Sequence, residues 1–435
     1  MSLRMPTRIA AAVPLTLAVL VQMVPAGQAA PSRGEWPGWR GPNRDGVAQE
    51  TGLLPEWKAG GPPLAWKVSG TGTGFSSMAV SGGRIFTLGD RDGAQQVIAL
   101  NESDGKLLWM ARLGSPWSDE MGGPRGTPTV SDELVYAVGP EGDVVAVEAA
   151  TGKERWRKSL VRDFGGSMMS MWKFSESPLV DGDRLIVTPG ARDAALVALD
   201  KKTGKEIWRA AIPDLGPKGK DGAGYASVVI SKAAGVKQYV QLLGRGLVGV
   251  RAEDGKFLWG QNNVANNVAN ISTPVVHANW VFASTGYQTG SAFVELSKAG
   301  DGIQAKEIYF LDPKTFQNHH GGFVLVGNQV YGGHGHGKGF PICVELTTGK
   351  VLWGGDIRNA GEGSAAVAYA DGNLYFRYQN GVVILIRATP EGYQEKGSLK
   401  IPDVKNPSWS HPVIAGGRLY LREQDTLYAY DLKAR

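Results

Sequence analysis

The chain has 435 residues, of which 42% are hydrophobic and 20% are charged, and this balance is typical of a folded globular protein. Its net charge of +5 is too small to favour binding to nucleic acid or to an anionic membrane surface. The single cysteine, Cys343, excludes an internal disulfide, and the lack of a Cys-x-x-Cys-His sequence excludes covalently attached haem.

The N-terminal residues have the pattern of an export signal. Arg4 and Arg8 precede a mostly apolar stretch over residues 9–24, and Ala29 ends a group of small residues that suits a signal peptidase. We therefore predict a signal peptide over residues 1–29 and a periplasmic or secreted location. The apolar stretch is too short for a membrane span. No cysteine stands beside the cleavage site, so we expect no lipid anchor.

Residues 30–63 differ in composition from the rest of the chain. The run Trp36-Pro-Gly-Trp39-Arg-Gly-Pro-Asn-Arg-Asp-Gly46 is rich in turn-forming residues and carries two tryptophans. We predict that this segment is a strap that packs on the flank of the domain that follows it. The alternative is a segment that takes part in ligand binding.

A short phrase, Ala-x-Asp-x-x-Thr-Gly-Lys-x-x-Trp, recurs with small variations through the remaining chain. Copies that start at Ala99, Ala146, Ala198 and Gly249 are 47, 52 and 51 residues apart, and a further copy starts at Cys343. A period of about 40–50 residues indicates a repeat architecture. The phrases end at Trp109, Trp156, Trp208, Trp259 and Trp353.

Each repeat predicts four strands. Two apolar runs joined by a tight turn containing Gly, Asp or Asn have the pattern of a β-hairpin. The Ala-x-Asp run adds a third strand, and the run that ends in Trp adds a fourth. Four-stranded antiparallel units repeated about an axis make a β-propeller. We therefore predict an all-β fold in which residues 64–435 form one propeller domain.

Degenerate repeats bring the predicted number of blades to eight. One has Val294 at the alanine position and Tyr309–Phe310 near the tryptophan position, and another has Leu385 at the alanine position. The last repeat begins at Pro412 and lacks a fourth strand, which residues 64–68 can supply. Closing the ring with an N-terminal strand removes the free sheet edges.

These repeats resemble the pyrroloquinoline-quinone-like (quinoprotein-type) β-propeller repeat family, in particular its exported bacterial members. The resemblance covers about residues 64–435, and it implies that the repeat tryptophans and Trp66 pack between neighbouring blades. The fold is also similar to the propeller lipoprotein of the outer-membrane β-barrel assembly machine. In related dehydrogenases the quinone (PQQ) lies in the channel beside a calcium ion held by Glu, Asn and Asp.

The ligand face of a propeller surrounds the central channel, and the residues ahead of the innermost strands converge there. Polar and aromatic side chains stand at these positions, which predicts a binding site at the channel mouth. The alternative is that these groups satisfy one another and water. The candidate cofactor-binding residues are Arg125, Glu176, Tyr225, Asn270, His320, Glu362 and Trp409, with Ser76, His319 and His411 at equivalent positions.

The sixth repeat is rich in histidine. If its first hairpin turns at Gly327-Asn328, residue 320 lies opposite residue 335, and His320, His334 and His336 meet at one end of the hairpin. Three imidazoles at that range predict a zinc, copper or iron site. Histidines beside glycines in a loop are equally compatible with solvation or with hydrogen bonds to the backbone.

Three functions are compatible with these patterns. The first is an exported, monomeric and non-catalytic binding or scaffold protein of the cell envelope, whose partner is a protein or another envelope component. The alternative is a PQQ-dependent alcohol or sugar dehydrogenase, with quinone and calcium in the channel and Glu176 or another acid as the base. The third is a metal centre on the sixth repeat. A propeller fold alone does not decide among them.

Overall fold

The computed structural model describes residues 34–119, 121–300, 302–405 and 407–434. The strands in these ranges form eight antiparallel sheets of four strands each, and each sheet is one blade of a ring. The predicted eight-bladed, all-β propeller is therefore confirmed. Helical structure in these ranges is limited to the α-helix Leu160–Phe164 and the 3-10 helix Ala233–Gly235, and neither has the length and apolar character to cross a membrane.

The strands of a blade follow one another in the chain, and the first strand of each blade lines the channel, where it contacts the first strands of neighbouring blades. Blades 1 to 4 consist of Ala79–Ser81, Arg84–Arg91, Ala94–Asn101 and Leu107–Gly114; Thr129–Ser131, Leu134–Val138, Asp143–Glu148 and Glu154–Ser159; Leu179–Asp181, Arg184–Val187, Leu196–Asp200 and Glu206–Ala210; and Val229–Ser231, Gln238–Leu243, Gly246–Arg251 and Phe257–Gln261.

Blades 5 to 8 repeat this arrangement, except that the last blade takes its fourth strand from the N-terminal side of the chain. They consist of Val275–His277, Trp280–Thr285, Gly290–Ala299 and Gly302–Leu311; Phe323–Val326, Gln329–His334, Phe340–Glu345 and Val351–Gly354; Ala365–Ala370, Asn373–Tyr378, Val382–Arg387 and Glu395–Lys400; and Val413–Ala415, Arg418–Glu423, Thr426–Asp431 and Leu64–Ser69.

The middle strands of a blade read as continuous apolar runs because both of their faces are covered by neighbouring blades. All five residues of Leu134–Val138 are buried. The fourth strand lies at the outer edge, and Glu206–Ala210 accordingly alternates between exposed and buried residues after its first two positions. This difference explains why the sequence pattern changes along each repeat.

The ring closes through the eighth blade, as predicted. Leu64–Ser69 pairs antiparallel with Thr426–Asp431, with Trp66 opposite Ala429. The buried guanidinium of Arg422 extends this closure to the first blade, because it donates hydrogen bonds to the hydroxyl of Thr87 and to the carbonyls of Thr71, Gly72 and Leu88. The two ends of the propeller domain are thus held together by strand pairing and by a side chain.

Neighbouring blades dock through the repeat tryptophan. The indole Nε1 of Trp156 donates to the carbonyl of Lys201, 3.0 Å away in the next blade. Its ring lies flat beneath Gly204, where an added Cβ would come within 2.8 Å of the ring. Aromatic rings lie beneath glycines of the next blade in the same way at Trp66 and Gly105, Trp109 and Gly152, Trp208 and Gly255, and Tyr309 and Gly349. The expected packing between blades is confirmed.

The fifth blade departs from this pattern. Its outer strands form a long hairpin in place of the Thr-Gly-Lys turn, and Trp259 of the preceding blade donates instead to Gln238 of its own blade, at 2.5 Å. The assignment of Val294 to the alanine position is wrong. Phe293 stands opposite Tyr309, and the bulge follows Phe293 as it follows Ala146 in the second blade.

The first half of the strap crosses the channel, which corrects the predicted position on the flank. Trp36 forms a bridge with Val80 of the first blade, and the amide of Ala48 donates to the carbonyl of Tyr369 in the seventh, at 2.8 Å. Between them, Arg44 donates to Ser177 and Pro178, just ahead of the innermost strand of the third blade. Residues 36–48 therefore fill the channel.

The second half of the strap does pack on the flank. The amide of Leu54 donates to the carbonyl of Leu432, and that of Trp57 donates to the carbonyl of Lys396, each at 2.7 Å. Lys396 belongs to the outermost strand of the seventh blade. The turn-rich composition predicted a strap, but it carried no periodicity that could place the strap inside the channel.

The contact between Trp156 and Gly204 makes a prediction about stability. Gly204 and Gly182 both have a positive φ, but a Cβ at Gly182 would meet nothing within 4 Å. We expect Gly182→Ala to lower the free energy of unfolding by about 1–2 kcal/mol, which is the backbone strain alone. Gly204→Ala should cost about 1–3 kcal/mol more, because its methyl group would press on the indole. Denaturant unfolding of both variants measures the difference, and equal losses would contradict the docking contact.

Candidate binding site at the channel mouth

A cavity of about 260 Å³ lies at the mouth of the channel, on the side where the innermost strands begin. The strap closes its floor with Trp39 and Arg40, and the indole of Trp39 donates to Thr273 at 3.0 Å. These two strap residues were missed as site candidates. The other lining residues are Phe75, Met121, Arg125, Trp172, Ser175, Tyr225, Ala269, Ile271, Ser272, Thr273, Tyr287, His319, His320, Gly321, Gly322, Trp409 and His411.

Aromatic rings from distant parts of the chain form the cavity walls. Phe75 and Trp409 have ring centroids 4.9 Å apart. The ring of His320 meets Trp409 edge-on, also at 4.9 Å, and Trp39 lies 4.4 Å from His411. Because each ring is held by another, the walls are fixed apolar surfaces on which a flat or apolar group can pack.

Arg125 provides one of the two charges of the cavity. Its guanidinium carbon lies 4.2 Å from the ring centroid of Trp117 and 5.5 Å from that of Phe75, a cation–π arrangement. Nη2 donates to the carbonyl of Met121 at 2.5 Å, and Nη1 has no hydrogen-bond partner among the described residues. Burial lowers the pKa of Arg125 to about 10, so the group is charged at neutral pH.

Arg40 of the strap provides the second charge. It is 3% exposed, and its Nη2 donates to the carbonyls of Asp45 and Phe323. Its Nη1 is buried without a hydrogen-bond partner in the described part of the chain. Burial lowers the pKa of Arg40 to about 10, and the charge of Asp45 opposes this effect. No carboxylate lines the cavity among the described residues, so both charged side chains that line it are cationic.

The histidines of the cavity are neutral. His319 shares hydrogen bonds with the Ser364 hydroxyl at 2.9 Å and with the Tyr287 hydroxyl at 3.2 Å. Burial, followed by the neighbouring histidine charges, lowers the pKa of His319 to about 2. Burial, followed by the charge of Arg125, lowers the pKa of His320 to about 3. At neutral pH these rings can therefore donate and accept hydrogen bonds without adding charge.

The predicted three-histidine metal set is not brought together. The centroids of His320 and His336 each lie 3.9 Å from that of His319, but His334 turns towards Phe316 and accepts from the amide of Gln317 at 3.4 Å. The hairpin register is the expected one. The strand, however, ends at His334, so residues 334 and 336 do not alternate along an extended chain. The described residues hold no group of three His, Cys, Asp or Glu arranged for a metal ion.

Of the remaining predicted residues, Tyr225 lines the cavity, whereas Asn270, Glu362 and Glu176 do not. The hydroxyl of Tyr225 bonds to the Ser170 hydroxyl at 2.7 Å and accepts from the amide of Trp172 at 3.2 Å. Asn270 is buried and donates to two backbone carbonyls, which is a structural role. Glu362 is exposed and does not line the cavity.

Glu176 lies behind the cavity wall, where it is 3% exposed. One carboxylate oxygen accepts from the amide of Thr188 at 2.5 Å, and the other has no partner among the described residues. Burial raises the pKa of Glu176 to about 7, against the opposing hydrogen bonds of Thr188 and the charge of Arg44. This carboxylate is therefore buried and is not among the groups that line the cavity.

These residues do not fit a calcium-assisted quinone site. Calcium is held by six to eight oxygen ligands, usually including carboxylates, whereas the described residues that line the cavity include no Asp or Glu. Asn270 already uses its amide nitrogen and oxygen for backbone contacts. No step of a dehydrogenase reaction follows from this arrangement.

Glu176 makes stability depend on pH. Its folded pKa, about 7, lies above its usual value of 4.5. Between these values the folded state keeps a proton that the unfolded state releases, so the carboxyl group destabilises the fold as the pH rises. We expect the free energy of unfolding of Glu176→Gln, relative to that of the natural protein, to be about 2–3 kcal/mol higher at pH 8 than at pH 5. Denaturant unfolding at both pH values tests this, with Glu362→Gln as the control. A constant difference would contradict the burial effect.

Comparisons with known proteins agree with the fold and its repeats. A family model described as outer membrane protein assembly factor BamB matches residues 57–139 and 114–355. The quinohemoprotein alcohol dehydrogenase ADH IIB of Pseudomonas putida is 33% identical over 109 residues, which are 22% of this chain and 14% of the dehydrogenase. BamB of Yersinia pestis is 24% identical over 220 residues, 50% of each protein. The chain thus spans at most half the length of these two relatives.

A solved structure shares the same architecture. BamB from Moraxella catarrhalis has a TM-score of 0.59 and 15% identity, covering 86% of this chain and 98% of that one. At this identity the likeness shows the fold alone. The family match extends over more than half of the chain. The protein therefore belongs to the family of quinoprotein-type propeller repeats described as outer membrane protein assembly factor BamB.

Proposed function

We propose that this protein is an exported binding or scaffold protein of the cell envelope that captures a partner on the propeller face bearing the cavity. The observation that carries this proposal is a cavity with aromatic walls, the buried Arg40 and the half-buried Arg125, lined by no described carboxylate. A cavity with this lining can bind a chemical group of a partner molecule. The export signal expected at residues 1–29 lies outside the described residues, and the family match supports an envelope role.

Exposed apolar side chains extend the binding surface beyond the cavity. Met171 is 75% exposed and stands between Ser170 and the cavity-lining Trp172, both of which bond to the Tyr225 hydroxyl. The Ser170 hydroxyl also donates to the carbonyl of Val268 at 2.6 Å, and Val268 is 39% exposed. We call Met171 and Val268 the apolar rim. Apolar groups beside a concave site are typical of protein interaction surfaces.

The quinone-dependent dehydrogenase has less support from the same geometry. Its candidate base, Glu176, is enclosed behind the wall and does not line the cavity. A general base must come within hydrogen-bond reach of the proton that it removes, directly or through one water. The names of the relatives include both quinohemoprotein dehydrogenases and BamB, so the composition of the cavity is the stronger guide.

Photo-crosslinking in cells that export the protein tests the binding face. A benzophenone amino acid is placed at Met171 on the rim, and a matched one at Ile207, which is 46% exposed on the outer strand of the third blade. We expect a discrete crosslinked product from position 171 only, because the partner covers that face. Equal crosslinking from both positions, or none from either, would contradict the proposal.

A further inference from the structure

Each of the two arginines that line the cavity has one guanidinium nitrogen whose hydrogen-bonding capacity is unused. Nη1 of Arg125 and Nη1 of Arg40 are buried and have no hydrogen-bond partner within the described ranges. The carboxylates whose charges act on them are the exposed Asp119 on Arg125 and the strap residue Asp45 on Arg40, and neither lines the cavity. Burying a guanidinium donor without a partner is unfavourable, and a bound anion offsets that cost.

The walls require that the anion be attached to an apolar or aromatic group. Phe75 and Trp409 pack together beside Arg125, and the neutral ring of His320 meets Trp409 edge-on. A small hydrated anion such as inorganic phosphate leaves this face without a contact. A carboxylate next to an aromatic ring satisfies both halves of the cavity, because arginine pairs with carboxylates in a forked geometry and aromatic rings pack on one another.

The shape of the cavity favours the end of a chain over an internal segment. Trp39 and Arg40 close the floor, since residues 36–48 fill the channel below. The volume of about 260 Å³ lies just under the usual range of about 300–1,000 Å³ for small-molecule pockets. A cavity that is blocked at its floor admits a terminal residue, whereas an internal segment that enters from the mouth must turn back and leave through the same opening. The apolar rim is placed to contact the residues that follow outside.

We infer that the cavity binds the C-terminal carboxylate of a partner polypeptide whose last residue is aromatic, with the carboxylate on Arg125 and the last side chain against Phe75 and Trp409. This inference rests on the proposed function and names the chemistry of its partner. Capture of a terminal carboxylate is a known mode of peptide recognition. Small aromatic carboxylates share the same chemistry, and the experiment below distinguishes them from the C-terminus of a polypeptide.

Calorimetric titration of the purified mature protein tests this inference. The probes are a Gly-Ser-Gly-Ser-Gly-Phe peptide with a free C-terminus, the same peptide amidated, and N-acetylphenylalanine. We expect the free acid to bind, and amidation to weaken binding about tenfold or more, since a hydrogen bond to a charged group is lost. N-acetylphenylalanine should bind more weakly than the peptide because it lacks the contacts with the rim.

A variant and its matched control test whether the peptide carboxylate binds at Arg125. Arg125→Gln should weaken the free-acid peptide about tenfold or more and leave the amidated peptide unchanged. The control is Arg358→Gln, at an exposed arginine whose guanidinium carbon lies 5.7 Å from the ring of Phe340, outside the cavity. It should bind both peptides like the natural protein. Equal effects of the two substitutions would overturn the assignment to Arg125.

The remaining outcomes separate this inference from the proposed function. Equal binding of the acid and amide peptides, or binding of neither, overturns carboxylate recognition, while crosslinking from Met171 still supports a partner-binding face. N-acetylphenylalanine binding as tightly as the peptide overturns the polypeptide source in favour of a small aromatic carboxylate. If the peptide binds but Met171 yields no crosslinked product in cells, the proposed function fails and the carboxylate site remains.

Discussion

The contact of an aromatic ring with a glycine of the next blade is the constraint on which the rest of this structure depends. Trp156 beneath Gly204 shows its two parts: a hydrogen bond from the indole to a backbone carbonyl, and a flat contact that only a residue without a side chain permits. The same contact recurs at five of the eight junctions between blades, and there it sets the distance between them. It explains why tryptophan and glycine recur together in the sequence.

The ring leaves a channel at its centre, and the strap fills it. The strap buries Arg40 and Arg44 there, and backbone carbonyls of the surrounding blades accept their hydrogen bonds. Hydrogen bonds of this kind offset part of the cost of removing charge from water. The cavity follows from this arrangement, because the strap closes the floor while the loops ahead of the innermost strands form the walls. A segment outside the repeats thus shapes the site.

The sequence predicted most of the fold because the repeats are periodic, and it predicted less of the site. The blade count and the closure by Leu64–Ser69 could be read from strand patterns and from the missing final strand. In the fifth blade the predicted alanine position was wrong by one residue, because the bulge follows Phe293. The aromatic residues there did not match the repeat phrase closely enough to fix this position. The path of the strap could not be predicted, since turn-forming residues have no period that identifies their packing partner.

For the candidate residues, the position ahead of an innermost strand correctly predicted that the backbone lies near the channel mouth. It did not predict the direction in which the side chain points. Arg125, Tyr225, His320 and Trp409 do line the cavity. Glu176 stands at an equivalent position and turns into the protein, where the amide of Thr188 holds it. His334 and His336 were expected on one side of a strand, but the strand ends between them. Such differences depend on tertiary contacts that local sequence does not encode.

Hydrogen exchange of the strap amides tests the central claim, that residues 36–48 fill the channel and form the floor of the site. The amides of Trp36 and Ala48 donate to blade carbonyls at 2.8 Å, and that of Gly46 donates to Arg40 at 2.9 Å. We predict that these amides exchange as slowly as those of the innermost strands, as measured by mass spectrometry. Both sets of amides become accessible to solvent only when the propeller ring itself opens. Exchange as fast as that of the amides of Glu391 and Gly392, at a bend between two strands, would contradict the account.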